Sequence, residues 1–381
     1  MVFKGFIIFR EAHIPFVIEE YTMELFTDDP IISEFTKEYN HKSDYVLTGQ
    51  CYSYLGMPTA ITILVNYSMG TTCYLTSFLF CKFGNVGEYD RIGFQSCLID
   101  SVFQYTYNFI DGARNGINYS SGPVDVYKFS VPVDGKDLEF KYIIGPNNRI
   151  GIAEDYGKKG ELLISPCSGD IFECTRLMRL IDRFLQFTSG FSDTKFKYII
   201  LYKGEMPSAY FYCNRVDSSE RSDFDIFFHE FDVMKYCPKI LENLALDLGE
   251  VITRSIPVGH LVDKSLPYSP HRLVEQVFSF EYIFEKIYPK KAKEMSLKNE
   301  LKMMFDKYPT ILSQSQYDSE TAAEEIKTMR VDITHGYKYF YNFNTDRRIK
   351  LLMIMLDKLI ERMSLQYIGF EDDDIQHFRD R

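Results

Sequence analysis

Two periodicities divide this chain. Up to about residue 165, apolar residues come in short runs that Gly, Asn, Asp and Pro interrupt: Phe3, Gly5 to Phe9, Tyr45-Val46-Leu47, Ala60 to Val65 and Thr72 to Leu75. β-Branched and aromatic side chains in such runs suit a pleated, half-buried surface, so each run predicts a strand. Residues 124–131 and 138–143 add partial apolar–polar alternation, and Asp134-Gly135 between them is a hairpin signal. The spacing predicts an antiparallel, sandwich-like arrangement of jelly-roll type. Ile171, Cys174, Leu177, Ile181, Phe184, Leu185 and Thr188 then follow a helical period that Gly190 closes. Strand patterns return at 196–202 and 209–212, and 217–223 is a polar loop. The helix is expected to pack on the sheet.

From about Tyr236 the period is helical. Ile240, Leu244 and Leu248 mark one helix, and Pro257 with Pro267-Tyr268-Ser269-Pro270 forms a breaker-rich join. Leu273, Val277, Phe280, Phe284 and Ile287 mark an amphipathic helix that ends near Pro289. Leu297 to Tyr308 is a shorter one, stopped by Pro309. A charged segment from Ser319 leads into a further helix, and Ile349, Leu352, Met353, Leu356, Leu359, Ile360 and Met363 mark the last. The expectation is an α+β chain: a β-rich N-terminal domain over 1–235, sandwich-like with a packed helix, then an all-α helical bundle over 236–381.

The stretch Arg330-Val331-Asp332-Ile333-Thr334-His335-Gly336-Tyr337 carries the candidate chemistry. Ile326, Met329 and Ile333 share one helical face, with Arg330 about 40° to one side of Ile326 and His335 almost opposite. Gly336 is a stop signal, so His335 is expected in the last turn. Histidine exchanges protons near neutral pH, and arginine offers a charged fork of donors to a phosphate. The pair suits attack of an RNA 2′-hydroxyl on its own phosphodiester, without a metal. Within one helix the two side chains diverge by about 140°, so a phosphate would be surrounded only by two copies across a two-fold axis.

Composition narrows the alternatives. The net charge of −11 falls almost wholly before Leu266: that part carries −10 and the remainder −1. The acidic front argues against broad coating by nucleic acid there, but leaves room for a local basic pocket later. Tyr (28) and Phe (32) are abundant and Trp is absent, which agrees with β-rich packing. The eight Cys are dispersed without CxxC and the His without HExxH, so neither a zinc site nor a disulfide framework is expected, and no cofactor. No apolar run of about 18 residues occurs, and the N-terminus has no signal-peptide pattern, so a cytoplasmic protein without a membrane span is expected. Glu371-Asp372-Asp373-Asp374 reads as a solvated acidic end.

With Arg330-x4-His335 late in a helix, an upstream helix built on Leu273 to Ile287 and a last helix rich in Leu and Ile, the C-terminal third resembles the HEPN superfamily. The layout in front of it, with patterns such as Gly49-Gln50 and Ile61-Thr62-Ile63, resembles the ApeA type, implicated in abortive defence against phage. The resemblance implies a dimerising bundle and a metal-independent ribonuclease. Arg330 would bind the phosphate, and His335 would act as general base or acid. The family often has Asn or Asp directly after the Arg. Here Val331 stands there and Asp332 follows, turned by about 100°. Tyr337 matches the extended motif whose Tyr is adenylylated by a partner nucleotidyltransferase in some HEPN toxins, and Lys338 would add positive charge to an RNA groove. The implied partners are RNA, a second copy of the chain or a higher homo-oligomer, and a phage-derived trigger acting on the front domain. The competing expectation is a non-catalytic dimerisation protein whose N-terminal domain binds a ligand or protein.

Overall fold

The computed structural model describes residues 2–27, 29–40, 42–52, 58–82, 89–96, 98–100, 102–103, 124–145, 159–189, 194–213, 230–247, 249, 251, 268–313, 315–336, 341–343 and 345–377. The chain is mixed α+β and divides into two compact units: residues 1–182 with 195–223, and residues 183–194 with 224–381.

The first unit is built on one antiparallel sheet in the order β3-β2-β1-β4-β5-β6-β12-β11-β7-β10-β9-β8. Its strands are β1 (Val2–Phe9), β2 (Ala12–Glu19), β3 (Thr22–Leu25), β4 (Tyr45–Tyr52), β5 (Pro58–Met69), β6 (Thr72–Cys81), β7 (Arg91–Gln95), β8 (Val124–Val133), β9 (Lys136–Gly145), β10 (Lys159–Ser165), β11 (Tyr198–Lys203) and β12 (Met206–Cys213). The first six close on themselves. The start of β6 pairs with β3 (Thr22 with Tyr74, Glu24 with Thr72), while its end, Ser77 to Cys81, pairs with β12. The expected sandwich is therefore a six-stranded antiparallel barrel with a sheet running on from it. Alternation and turn spacing are common to both designs. What makes the barrel is a pairing between strands some fifty residues apart.

Side chains fill the barrel by strict alternation: Ile7 and Phe9, Ile14, Phe16 and Ile18, Met23 and Leu25, Leu47 and Cys51, Ile61, Ile63 and Val65. A helix, α1 (Asp29–Tyr39), packs Phe35 and Tyr39 against Phe9, and Tyr39 stacks on Tyr45. The inward positions Gly5 and Gly49 let β1 and β4 approach closely. A Cβ on Gly49 would collide with the Phe6 carbonyl oxygen and lie 2.8 Å from the Ile7 Cα. The Asp134-Gly135 signal is a tight hairpin between β8 and β9, with φ of 51° and 75°. The helix α2 (Ile171–Ser189) meets this sheet where its Thr175 hydrogen-bonds Ser77 at 3.1 Å. The polar loop expected at 217–223 lies outside the described residues.

The described elements of the second unit, after the end of α2, are helices: α3 (Glu230–Leu246), α4 (Pro270–Ile287), α5 (Lys291–Glu294), α6 (Leu297–Lys307), the 3₁₀ turn Pro309–Ile311, α7 (Ser319–Thr334), α8 (Arg347–Tyr367) and α9 (Asp372–His377). α4 packs against both α8 and α7, and α7 against α6. α4 starts as its sequence dictates: Ser269 caps the Arg272 amide at 3.2 Å and Pro270 fills a first-turn position that has no intrahelical N–H bond to lose. Its buried residues Leu273, Val277, Phe280, Ile283 and Phe284 form the apolar stripe. One polar knot crosses that interface. Arg272 donates to Asp357 at 3.0 Å, and Gln276 donates to the same carboxylate and to the Met353 carbonyl. Burial raises Asp357 to about 6, against the pull of Arg272. Among the described residues, no helix is long and apolar enough to cross a membrane.

Candidate functional site

α7 begins where Asp318 accepts the Thr321 amide at 2.7 Å, and it buries Ala322, Ala323, Ile326 and Met329. It stops at His335, whose amide still reaches the Val331 carbonyl at 3.0 Å. Gly336 follows at φ 66°, the left-handed value that glycine takes without Cβ strain. His335 is thus a solvent-exposed C-cap residue, beside carbonyls that lack intrahelical partners.

Arg330 lies one and a half turns earlier and points elsewhere. Its guanidinium carbon sits 5.7 Å from the centre of the Phe278 ring on α4. Its terminal nitrogen is 3.9 Å from a Glu281 oxygen, an ion pair beyond hydrogen-bonding reach. No hydrogen bond joins its side chain to another described residue, and its Nε is buried. Arg330 and His335 of one copy are not joined by a contact, as their angular separation requires. Asp332 makes no hydrogen bond or ion pair with either and accepts one from Tyr341 at 2.7 Å. Burial first, and that bond second, push the Tyr341 phenol up to about 12. Tyr337 and Lys338 lie outside the described residues.

Sequence reasoning did not single out Phe278 and Glu281, which meet Arg330, or Glu300, which feels the charge of Glu281. Phe278 and Glu281 are three apart on α4 and therefore neighbours on one side of it. Glu300, on α6, is only 6% exposed, and no hydrogen bond from a described residue reaches its carboxylate. Burial, then the charge of Glu281, raises Glu300 to about 7. Burial also raises Glu281, and Arg330 partly offsets it. The one signal in the sequence was Glu300 falling on the same face as the apolar Leu301, Met304 and Phe305 of a short helix.

Glu300 has a consequence for stability. A carboxyl raised in the folded state contributes stability that is complete below its unfolded value, near 4.5, and is lost as pH rises through about 7. Glu300→Gln is expected to raise thermal stability at pH 8 by ~2 kcal/mol, and to have little effect at pH 5. Melting curves of both proteins across that range check it. Equal curves at pH 8 would mean that Glu300 is solvated.

Among the described residues, no group of three or more His, Cys, Asp or Glu side chains is arranged to hold a metal ion. No protein-family model, curated protein or solved structure matches the chain.

Proposed function

We propose that this chain is a homodimeric, metal-independent endoribonuclease of HEPN type, with its C-terminal helices as the bundle that carries the site. One observation supports this most: a half-buried guanidinium with no hydrogen bond to a described protein group lies on the helix that an exposed histidine ends. A phosphate supplies the acceptors that Arg330 lacks, and charge-assisted bonds of this kind are the stronger ones. Two copies related by a two-fold axis would bring both pairs to one phosphodiester. His335 takes the proton from the 2′-hydroxyl, and the 2′-oxygen bonds to phosphorus. The bond to the 5′-oxygen breaks, and the imidazole of the second copy returns a proton to that oxygen. Arg330 holds the charge that builds on the phosphate. The setting implied by the resemblance is antiphage defence, with the barrel-bearing unit sensing a phage-derived trigger.

The second reading is a non-catalytic dimerisation scaffold. It is favoured by Asp332 being held by Tyr341 and by Arg330 lying against Glu281. Incubation with total RNA in EDTA separates the two. The ribonuclease reading expects fragments ending in 2′,3′-cyclic phosphate and 5′-hydroxyl groups. Intact RNA between pH 6 and 8 would overturn it in favour of the scaffold.

A further inference from the structure

Phe278 has no part in the chemistry above, yet it is 52% exposed on a helix whose other phenylalanines, Phe280 and Phe284, are fully buried. An exposed apolar side chain is common and means little alone. Its neighbours give it meaning here. The Arg330 guanidinium lies over one face of its ring, 5.7 Å from the centroid, and Glu281, one turn on, faces the same guanidinium. An aromatic face beside an arginine with unspent donors matches one nucleotide, with the base on the ring and the phosphate on the cation. A subunit contact is the competing use of an exposed ring. An apolar interface needs a contiguous patch, however, and Leu246 is the only other large apolar side chain exposed among the described residues of this unit.

We infer that Phe278 is a base-stacking residue of the RNA cleft, holding the nucleobase next to the phosphate that Arg330 binds. The inference rests on the ribonuclease reading and names a recognition element for it. A ring face accepts any base, so the cleft would recognise unstacked, single-stranded RNA in preference to duplex. The guanidinium covers one face of the ring, so a base would take the other face, and Glu281 limits how far a phosphate can approach from its own side of the guanidinium.

The test uses the absence of tryptophan. Phe278→Trp places the chain's single tryptophan, excited selectively over its tyrosines, at the proposed platform. Titration with a single-stranded DNA oligonucleotide, which lacks the 2′-hydroxyl nucleophile, is expected to quench its emission saturably, and a duplex of the same sequence to quench it far less. In cleavage assays Phe278→Ala and Phe278→Leu are expected to raise KM roughly 5- to 100-fold with kcat within about twofold, while Phe278→Tyr keeps the parental KM. Parental KM in Phe278→Ala, with no quenching of Phe278→Trp, overturns the inference and leaves the ribonuclease reading standing. A parent that leaves RNA intact while Phe278→Trp is quenched overturns the nuclease and supports the stacking site. Absence of both overturns both. If sedimentation shows that Phe278→Ala turns a parental dimer into a monomer, the ring is a subunit contact and the inference fails.

Discussion

His335→Ala is expected to lower RNA cleavage by about 100-fold or more while leaving the fold unchanged. The magnitude follows from the role. A positioned acid–base group contributes about 100- to 10,000-fold, and in the proposed dimer both imidazoles are lost together. The fold should survive because the side chain is exposed at a helix end, where truncation costs about 0.5 kcal/mol. The helix stop itself depends on Gly336, which the variant keeps. Initial cleavage rates and melting temperatures of parent and variant check both halves. A variant that cuts RNA at the parental rate removes His335 from the mechanism.

The second large effect lies in the barrel. Gly49→Val is expected to destabilise the first unit by about 4 kcal/mol or more, a large part of what a domain of ordinary stability holds. The new side chain would collide with the Phe6 carbonyl and with the Ile7 backbone. Both lie on β1, which also pairs with β2, so relief means moving two strands. A flexible neighbour would yield cheaply, but backbone in the middle of a closed barrel does not. Denaturant unfolding followed by far-ultraviolet circular dichroism measures the loss. A midpoint within experimental error of the parent would mean that β1 and β4 do not approach as closely as described.

Much of the secondary structure was legible because it is local. Leu273, Val277, Phe280 and Phe284 announced α4 through their period alone, and the two cues at its start, Ser269 and Pro270, are consecutive residues. Asp134-Gly135 announced its hairpin for the same reason. Barrel closure was not legible, since β3 offers only four residues and pairs with β6 across a long stretch of chain. The helix α1 also went unread. Its apolar residues Ile31, Ile32 and Phe35 are few, and its stability comes from packing against Phe9 and Tyr45 rather than from propensity. At the candidate site, helical spacing puts Arg330 near the buried face of α7 and His335 away from it, and in the structure they are half-buried and exposed. The residues that meet Arg330 were out of reach. Phe278 and Glu281 come some fifty positions earlier, and the crossing of α4 and α7 decides which side chains meet there.

The proposed mechanism requires two copies of the chain to share one site. It is tested by mixing Arg330→Ala protein with His335→Ala protein under conditions that let subunits exchange. Each variant alone is expected to cut RNA at least about 100-fold more slowly than the parent, and the mixture to regain part of that rate as mixed dimers form that carry one arginine and one histidine, the single imidazole serving as base while water protonates the leaving oxygen. A mixture that stays as slow as either variant despite demonstrated exchange, beside a parent that cuts RNA, would contradict a site shared across the two-fold axis.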